Sequence, residues 1–346
     1  IAARTGDADS IRHLTKNGAR ADASERKGQT ALMWAAAEGN VEAVQALIDV
    51  GADINAANKS DFTAMMFAAR QGHIDVVECL LHAGVDVGAV MSPKGAGNRL
   101  PRRGTSALTL AVESGHFELG MYLVRQGADP NDQRSGVTPL HAIAGVRKPN
   151  WGEGADGDPS PRGSGLMTSL EFVRAIVAAG ADVNTRLLRG NGGKAVLNRK
   201  GATPLLLAAK TADLPLMSLF VELGADPRLT NTDGCTPLMA AAGIGVRAVG
   251  EEAGTEPEVI EALKFLLAQG LDVNAEDKNR ETAMHGAAYR CFPLVIAYLA
   301  EVGADPGVWN HKNSYGWTPV MIGEGYRPGS FKPSPETVSA LKAAMR

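Results

Sequence analysis

Side chains able to do chemistry are few and scattered in this chain. Of its 7 histidines, four have positional explanations. His141 and His285 stand fourth in a recurring Thr-x-x-His word, where an imidazole is expected to bond to neighbouring turn backbone. His73 and His116 follow a glycine between two apolar runs. The three cysteines, Cys79, Cys235 and Cys291, are too widely spaced for a disulfide framework or a Cys-x-x-Cys site. No H-E-x-x-H and no paired Cys/His spacing occurs, so neither a zinc centre nor any other metal or cofactor is expected. Cys79 aligns with a buried helix position. Cys235 is by pattern the most exposed thiol, with Arg228 the nearest cation in sequence; it is reactive only if its pKa is lowered. Gly190-Asn191-Gly192-Gly193-Lys194 has the composition of a phosphate cradle, but it lacks the P-loop spacing and follows no buried strand. Glu324 stands between Gly323 and Gly325 where two alanines are expected. Burial against Arg327 and exposure at the end of an array are both open for it. A lone carboxylate has no second group to work with, so the chain is not read as an enzyme.

The elements that must position these residues come from a repeat. Gln29-Thr30-Ala31-Leu32-Met33-Trp34-Ala35-Ala36 returns as Phe62-Thr63-Ala64-Met65-Met66-Phe67-Ala68-Ala69, 33 residues on. The word reappears at Ser106, Thr138, Thr203, Thr236, Thr282 and Thr318. In five copies a Gly followed by Ala/Val-Asp lies 21 residues after the Thr or Ser, at Gly51, Gly84, Gly127, Gly224 and Gly303. Such a period identifies a stacked repeat. Each unit reads as two helices and a turn. Thr or Ser caps the first helix, and Pro, where present, takes its first position. Gly39, Gly72 and Gly115 stop it, with Cys291 standing where such a glycine is expected. The second helix carries apolar residues at helical spacing, Val41, Val44, Leu47 and Ile48 in one copy, Ile74, Val77, Leu80 and Leu81 in the next. The glycine before Ala-Asp suits a left-handed helix end, and a hairpin with Gly in its turn follows, as in Arg26-Lys27-Gly28.

The 33-residue period, the T-P-L-H-x-A word, the inter-helix glycine turn and G-A-D-x-N resemble ankyrin repeats over essentially the whole chain. The stretches 197–213, 251–256, 281–289 and 315–337 further resemble a subset of exported bacterial ankyrin repeat proteins. The resemblance implies an all-α ankyrin repeat solenoid, helix–turn–helix units with β-hairpin loops. Eight repeats follow a truncated first one at 1–22, in a single domain over 1–346 with a capping repeat at 314–346. In that last repeat Ser334-Pro335-Glu336 starts a helix whose Val338, Leu341 and Met345 would face inward. Ile1 to Asp7 reads as the interior of an element with an upstream segment before it. The resemblance to exported proteins implies a periplasmic or secreted location; unpaired cysteines fit the cytoplasm instead.

Bulk properties narrow the partners. With 346 residues, 45% hydrophobic but only 5% aromatic, the core must be built of small aliphatic side chains. A net charge of −3 announces neither nucleic acid nor anionic membrane. No apolar run approaches the ~20 residues a bilayer requires. Functional clues therefore lie in departures from the repeat. Hairpins lengthen before Ser106 and Thr203, with 22 and 23 residues against 12 from Gly51 to Thr63. Inter-helix loops lengthen after Thr138 and Thr236, where Thr to Gly is 42 and 34. The long hairpins hold Lys94, Arg99, Arg102, Arg103, Arg186, Arg189, Lys194, Arg199 and Lys200 against Asp86 and Asp182, with Arg134 on the short hairpin between. Glu38, Arg70, Glu113, Lys210, Tyr289 and Arg290 are expected on the concave face. The function expected is non-catalytic recognition of a protein or peptide, acidic ones included, through Arg99, Arg102, Arg103, Arg134, Arg199, Lys200, Arg70, Lys210, Tyr289 and Arg290. The alternative is a pocket for a small anionic ligand formed by the insertions at 146–165, 185–199 and 243–256. Trp151, Trp317 and Tyr326 are expected to pack rather than to sit bare in water.

Overall fold

A computed structural model describes residues 1–93, 103–149, 160–247, 249–250, 252–329 and 332–346. Its regular elements are all helical. The chain divides into two compact units. The first comprises 1–143 and 161–181, the second 144–160 and 182–346.

In the first unit, short helices alternate between repeat positions one and two: Ala2–Thr5 with Ala8–Lys16, Ala31–Glu38 with Val41–Asp49, Ala64–Gln71 with Ile74–His82, and Ala107–Glu113 with Phe117–Arg125. In the second unit the pairs are Pro204–Lys210 with Leu214–Glu222, Pro237–Ala242 with Glu256–Ala268, Ala283–Arg290 with Pro293–Glu301, and Pro319–Gly323 with Pro335–Ala344. The expected word starts every one of these first helices except Ala2–Thr5, which begins after Ile1 without a side-chain cap. The hydroxyls of Thr30, Thr63, Ser106, Thr203, Thr236 and Thr318 each accept from the backbone N–H three residues on, at 3.2–3.4 Å. The alanines after it are fully buried, as at Ala35, Ala36, Ala68, Ala69, Ala208 and Ala209. Small side chains let helices of successive repeats approach closely, so the core is aliphatic and thin.

G-A-D-x-N also has a physical role. The Asp carboxylate accepts from the backbone N–H two residues on, at Asp53, Asp129, Asp182 and Asp272. The Asn reaches the next repeat. Asn184 donates to the Gly224 carbonyl (3.0 Å) and accepts from the Asp226 N–H (2.8 Å). Asn274 does the same to Gly303 and Asp305.

The expected hairpins form as tight turns and not as strands. Only isolated bridges occur among the described residues, Ser24 with Thr30, Val90 with Ser106 and Gly193 with Val196. A side chain at the turn's start does the work of a ladder: Asn58, Asn231 and Asn313 each accept from two backbone N–H groups inside their own turn. In the capping helix Leu341 is fully buried while Val338 and Met345 are half-buried.

Candidate partner-binding surface

In the first unit the position four residues after the capping Thr or Ser holds Trp34, Phe67 and Leu110 in successive repeats. Arginines lie across this column. The Arg4 guanidinium sits 4.7 Å from the Trp34 ring centroid and 3.2 Å from the Glu38 carboxylate. Arg70 is exposed, and its guanidinium lies 5.2 and 5.6 Å from the Phe62 and Phe67 rings. Those rings pack on each other at 5.2 Å. Stacked in this way the guanidinium keeps its in-plane donors for another group.

The helix end bearing Arg70 is tied down from the next repeat. His116 Nδ1 accepts from the Ser164 N–H (2.8 Å), which leaves Nε2–H to donate to the Arg70 carbonyl (3.0 Å). Burial holds this imidazole below its usual pKa, in keeping with a neutral ring. His73 stands in the same relation to the Ala37 carbonyl (3.1 Å), and Asn40 Nδ2 to those of Ala3 and Arg4 (3.1 and 2.9 Å). Gly72 is required here. It adopts φ 81°, and a Cβ on it would lie 2.3 Å from His116 Nδ1.

The basic turns divide between the units. Arg99 and Arg102 lie outside the described residues, as does Trp151. In the first unit Arg103 is exposed and donates to Ser92 Oγ (3.2 Å). Arg134 grips Asp132 with two parallel bonds (2.8 and 3.0 Å) and also donates to the Gly88 carbonyl (3.0 Å). Asp132 is 6% exposed. Burial pushes its carboxyl up, but the Arg134 fork outweighs this and holds it below its usual value. The charge of Arg134 is thus largely spent at home. In the second unit Arg199 and Lys200 are exposed. Lys194 reaches along the turns to 5.9 Å from the Trp317 ring, which pairs with Tyr315 at 5.7 Å. Trp317 is half-buried as expected, whereas Tyr326 is 59% exposed.

Three expected face residues are placed in the interior of the second unit. Tyr289 is 0% exposed and Arg290 3%. Lys210 is nearly covered and pairs with the buried Glu252 at 3.0 Å. The first helix of this neighbourhood, Pro237–Ala242, is short, and Arg290 crosses the space it leaves. Its guanidinium donates to the carbonyls of Lys210 (2.8 Å), Ala253 (3.1 Å) and Gly254 (2.9 Å), and burial lowers its pKa to about 10. The described part of the 243–256 insertion turns inward, with Val246, Glu252 and Ala253 buried. Close by, the Glu281 carboxylate is 3% exposed and accepts from Tyr289 Oη (2.7 Å) and Asn313 Nδ2 (2.8 Å). Sequence reasoning passed over it, although a signal existed. The residue before the capping position is Gln29, Phe62, Thr105, Val137, Ala202, Cys235 or Trp317 in other repeats, and an acid only at Glu281.

Other chemical candidates are corrected. Cys235 is 1% exposed, and burial pushes its thiol well above the ordinary value, so it is an interior thiol and not a reactive one. Cys79 is half-buried and lies 3.4 Å from Gln45 Oε1. Glu324 is exposed. His141 and His285 meet the capping threonine of their own word, with Nδ1 at 2.7 Å from Thr138 Oγ1 and 3.2 Å from Thr282 Oγ1, and the His285 ring also meets the backbone of His311 in the following turn, as expected. Among the described residues no group of three His, Cys, Asp or Glu could hold a metal, and no helix is long and apolar enough to cross a membrane.

Comparison with known proteins agrees with this architecture. A profile of three-copy ankyrin repeats matches residues 1–91, and a single ankyrin repeat profile matches 103–134 and 233–278. The mouse ankyrin repeat and SAM domain-containing protein 6 is 30% identical over 43% of the chain. Mouse ankyrin repeat and SOCS box protein 16 is 28% identical over 62% of it. The chain spans 16% and 46% of those two proteins. The fold is similar to the crystal structure of the human ASB11 ankyrin repeat domain, with a TM-score of 0.52 and 18% identity, over 78% of this chain and 95% of that one. These eukaryotic relatives lend no support to the narrower resemblance to exported bacterial proteins, or to a periplasmic or secreted location.

Proposed function

The chain belongs to the ankyrin repeat family, and from that premise we propose that it is a non-catalytic scaffold for a protein or peptide partner. Ankyrin repeats serve generally as protein–protein interaction modules. The observation that carries the reading here is the exposed Arg70 guanidinium stacked over Phe62 and Phe67, beside Arg4 on Trp34, in the first unit. Arg and Trp dominate the energetics of protein interfaces. A guanidinium already ordered by stacking loses little freedom on engaging a carboxylate. Exposed Arg103 in the first unit, and Arg199 and Lys200 in the second, add positive potential that favours an acidic partner. Arg134, Lys210, Tyr289 and Arg290 contribute by shaping the framework. The three unpaired thiols favour the cytoplasm as the place of action.

The test is capture of partners from native cells by the whole chain and by two variants, Arg70→Glu alone and Arg103→Glu, Arg199→Glu, Lys200→Glu combined. We expect Arg70→Glu to lower the yield of the principal partner at least tenfold. The triple variant should lower it and flatten its dependence on salt. A partner retained by both at unchanged yield and salt sensitivity sinks this reading.

A further inference from the structure

The second unit contains a carboxylic acid in a place where the fold ordinarily puts an uncharged side chain. Glu281 precedes the capping Thr282 and is 3% exposed. The same Oε1 accepts both of its side-chain bonds, from Tyr289 Oη at 2.7 Å and Asn313 Nδ2 at 2.8 Å. No ion pair involving Glu281 is found among the described residues. The titratable and charged groups around it are mostly anions or neutral. From its own turn come Asp277, itself 5% exposed, and Arg280, which leans on Glu276 at 3.8 Å. From the preceding turn come Asp233 and the buried Cys235; both Asp277 and Cys235 feel Asp233. From the following turn comes Tyr315, whose hydroxyl feels the charge of Glu281. His285 lies on the first helix after it, its ring 5.7 Å from that of His311, and Arg327 lies over the Tyr289 ring at 5.4 Å.

The partners of Glu281 also hold the last repeat. Asn313 opens the turn that leads to Trp317 and the capping Thr318, and its Oδ1 accepts from the N–H groups of Tyr315 (3.1 Å) and Trp317 (3.0 Å). Its amide therefore faces two ways, toward its own turn and toward the Glu281–Tyr289 pair, which it meets at 2.8 and 3.2 Å. Arg327, from the loop of the last repeat, donates to the Tyr289 carbonyl. Other polar contacts between the two turns are the Ser314 N–H on the Asn279 carbonyl (2.8 Å), the His311 ring beside the Arg280 carbonyl (3.1 Å) and Glu276 (3.2 Å), and, at the base, Asn274 with Gly303 and Asp305.

We propose that Glu281 is a proton-operated latch for the last repeat: with its proton it seals the joint at Asn313 and Tyr289, and without it the joint loosens. The physical reason is solvation. An ionised carboxylate in a dry site beside Asp277 lacks a counter-charge, and opening the joint admits the water that it needs. Burial, the largest influence, raises the pKa of Glu281 to about 7, so the change falls in the neutral range.

Hydrogen exchange of the whole chain, read by mass spectrometry and corrected for the intrinsic pH dependence of exchange, tests the latch. Protection of amides in the last repeat should fall about tenfold to thirtyfold from pH 5.5 to 8.5, while amides of the first unit show no such fall. Glu281→Gln keeps the acceptor without the charge, and should hold the last repeat's protection at its acidic value throughout. Tyr289→Phe removes one donor to the ionised carboxylate, and should move the midpoint to higher pH. A wild-type change of less than twofold overturns the proposal, as does an unaltered pH dependence in Glu281→Gln. Should that variant fail to fold, an unmoved midpoint in Tyr289→Phe overturns it equally.

Discussion

Cys291 occupies the left-handed region, at φ 57°, where the equivalent residues Gly39, Gly72 and Gly115 have φ 77–81°. A β-carbon is disfavoured in that region by roughly 1–2 kcal/mol. Cys291→Gly should therefore raise stability by about 0.5–1 kcal/mol in urea unfolding, part of the gain being offset by the freer unfolded chain. That substitution was legible in the repeat register alone. Cys235 was not: a residue before a capping threonine follows a turn and reads as exposed, yet the next repeat's turn covers it. Arg290 and Tyr289 were misread for a related reason. Their register gives a face position, and only the shortness of the helix beginning at Pro237, with the path of its loop, shows that the face is filled there.

The element that does this filling is the loop after Ala242. Glu252 turns inward from it to pair with Lys210, and its backbone N–H partner on the other oxygen is Arg247 (2.8 Å). Removing one member of a buried ion pair leaves an uncompensated charge, at a cost of roughly 3–5 kcal/mol, whereas replacing both by apolar groups of similar size costs much less. Glu252→Ala should thus lower the stability of the second unit by about 3 kcal/mol, and Glu252→Leu with Lys210→Met together should recover most of it; calorimetry of the three proteins decides. Helix starts, helix ends and the G-A-D-x-N linkage could be read from the sequence, because each depends on side chains bonding to backbone a few residues away or one period on. Strands could not be read correctly. The turns are too short for a ladder, and Asn58, Asn231 and Asn313 supply the acceptors that partner strands would otherwise provide.

At the scale of the molecule, two buried groups pull stability in opposite directions with pH. Glu281, raised to about 7, contributes stability that is full below the ordinary glutamate pKa and is lost as pH rises through 7. His285, whose burial lowers its pKa to about 3, contributes stability that is full above the ordinary histidine value and is lost as pH falls toward 3. Between roughly pH 4.5 and 6.5 the two slopes oppose each other. Glu281→Gln should therefore gain about 2–3 kcal/mol over wild type at pH 8 relative to pH 4.5, and unmask a steeper acid loss below pH 6.5. Chemical denaturation at matched pH values checks both signs. The donors that Asn40, His73 and His116 send back to the preceding repeat carry a different consequence. In these copies the stretch that recurs in sequence is not the stretch that is chemically closed, since each leaves carbonyls that its successor satisfies. Excising or transplanting one period would consequently leave its upstream neighbour with a bare helix end, and a viable graft must bring along the first residues of whatever follows.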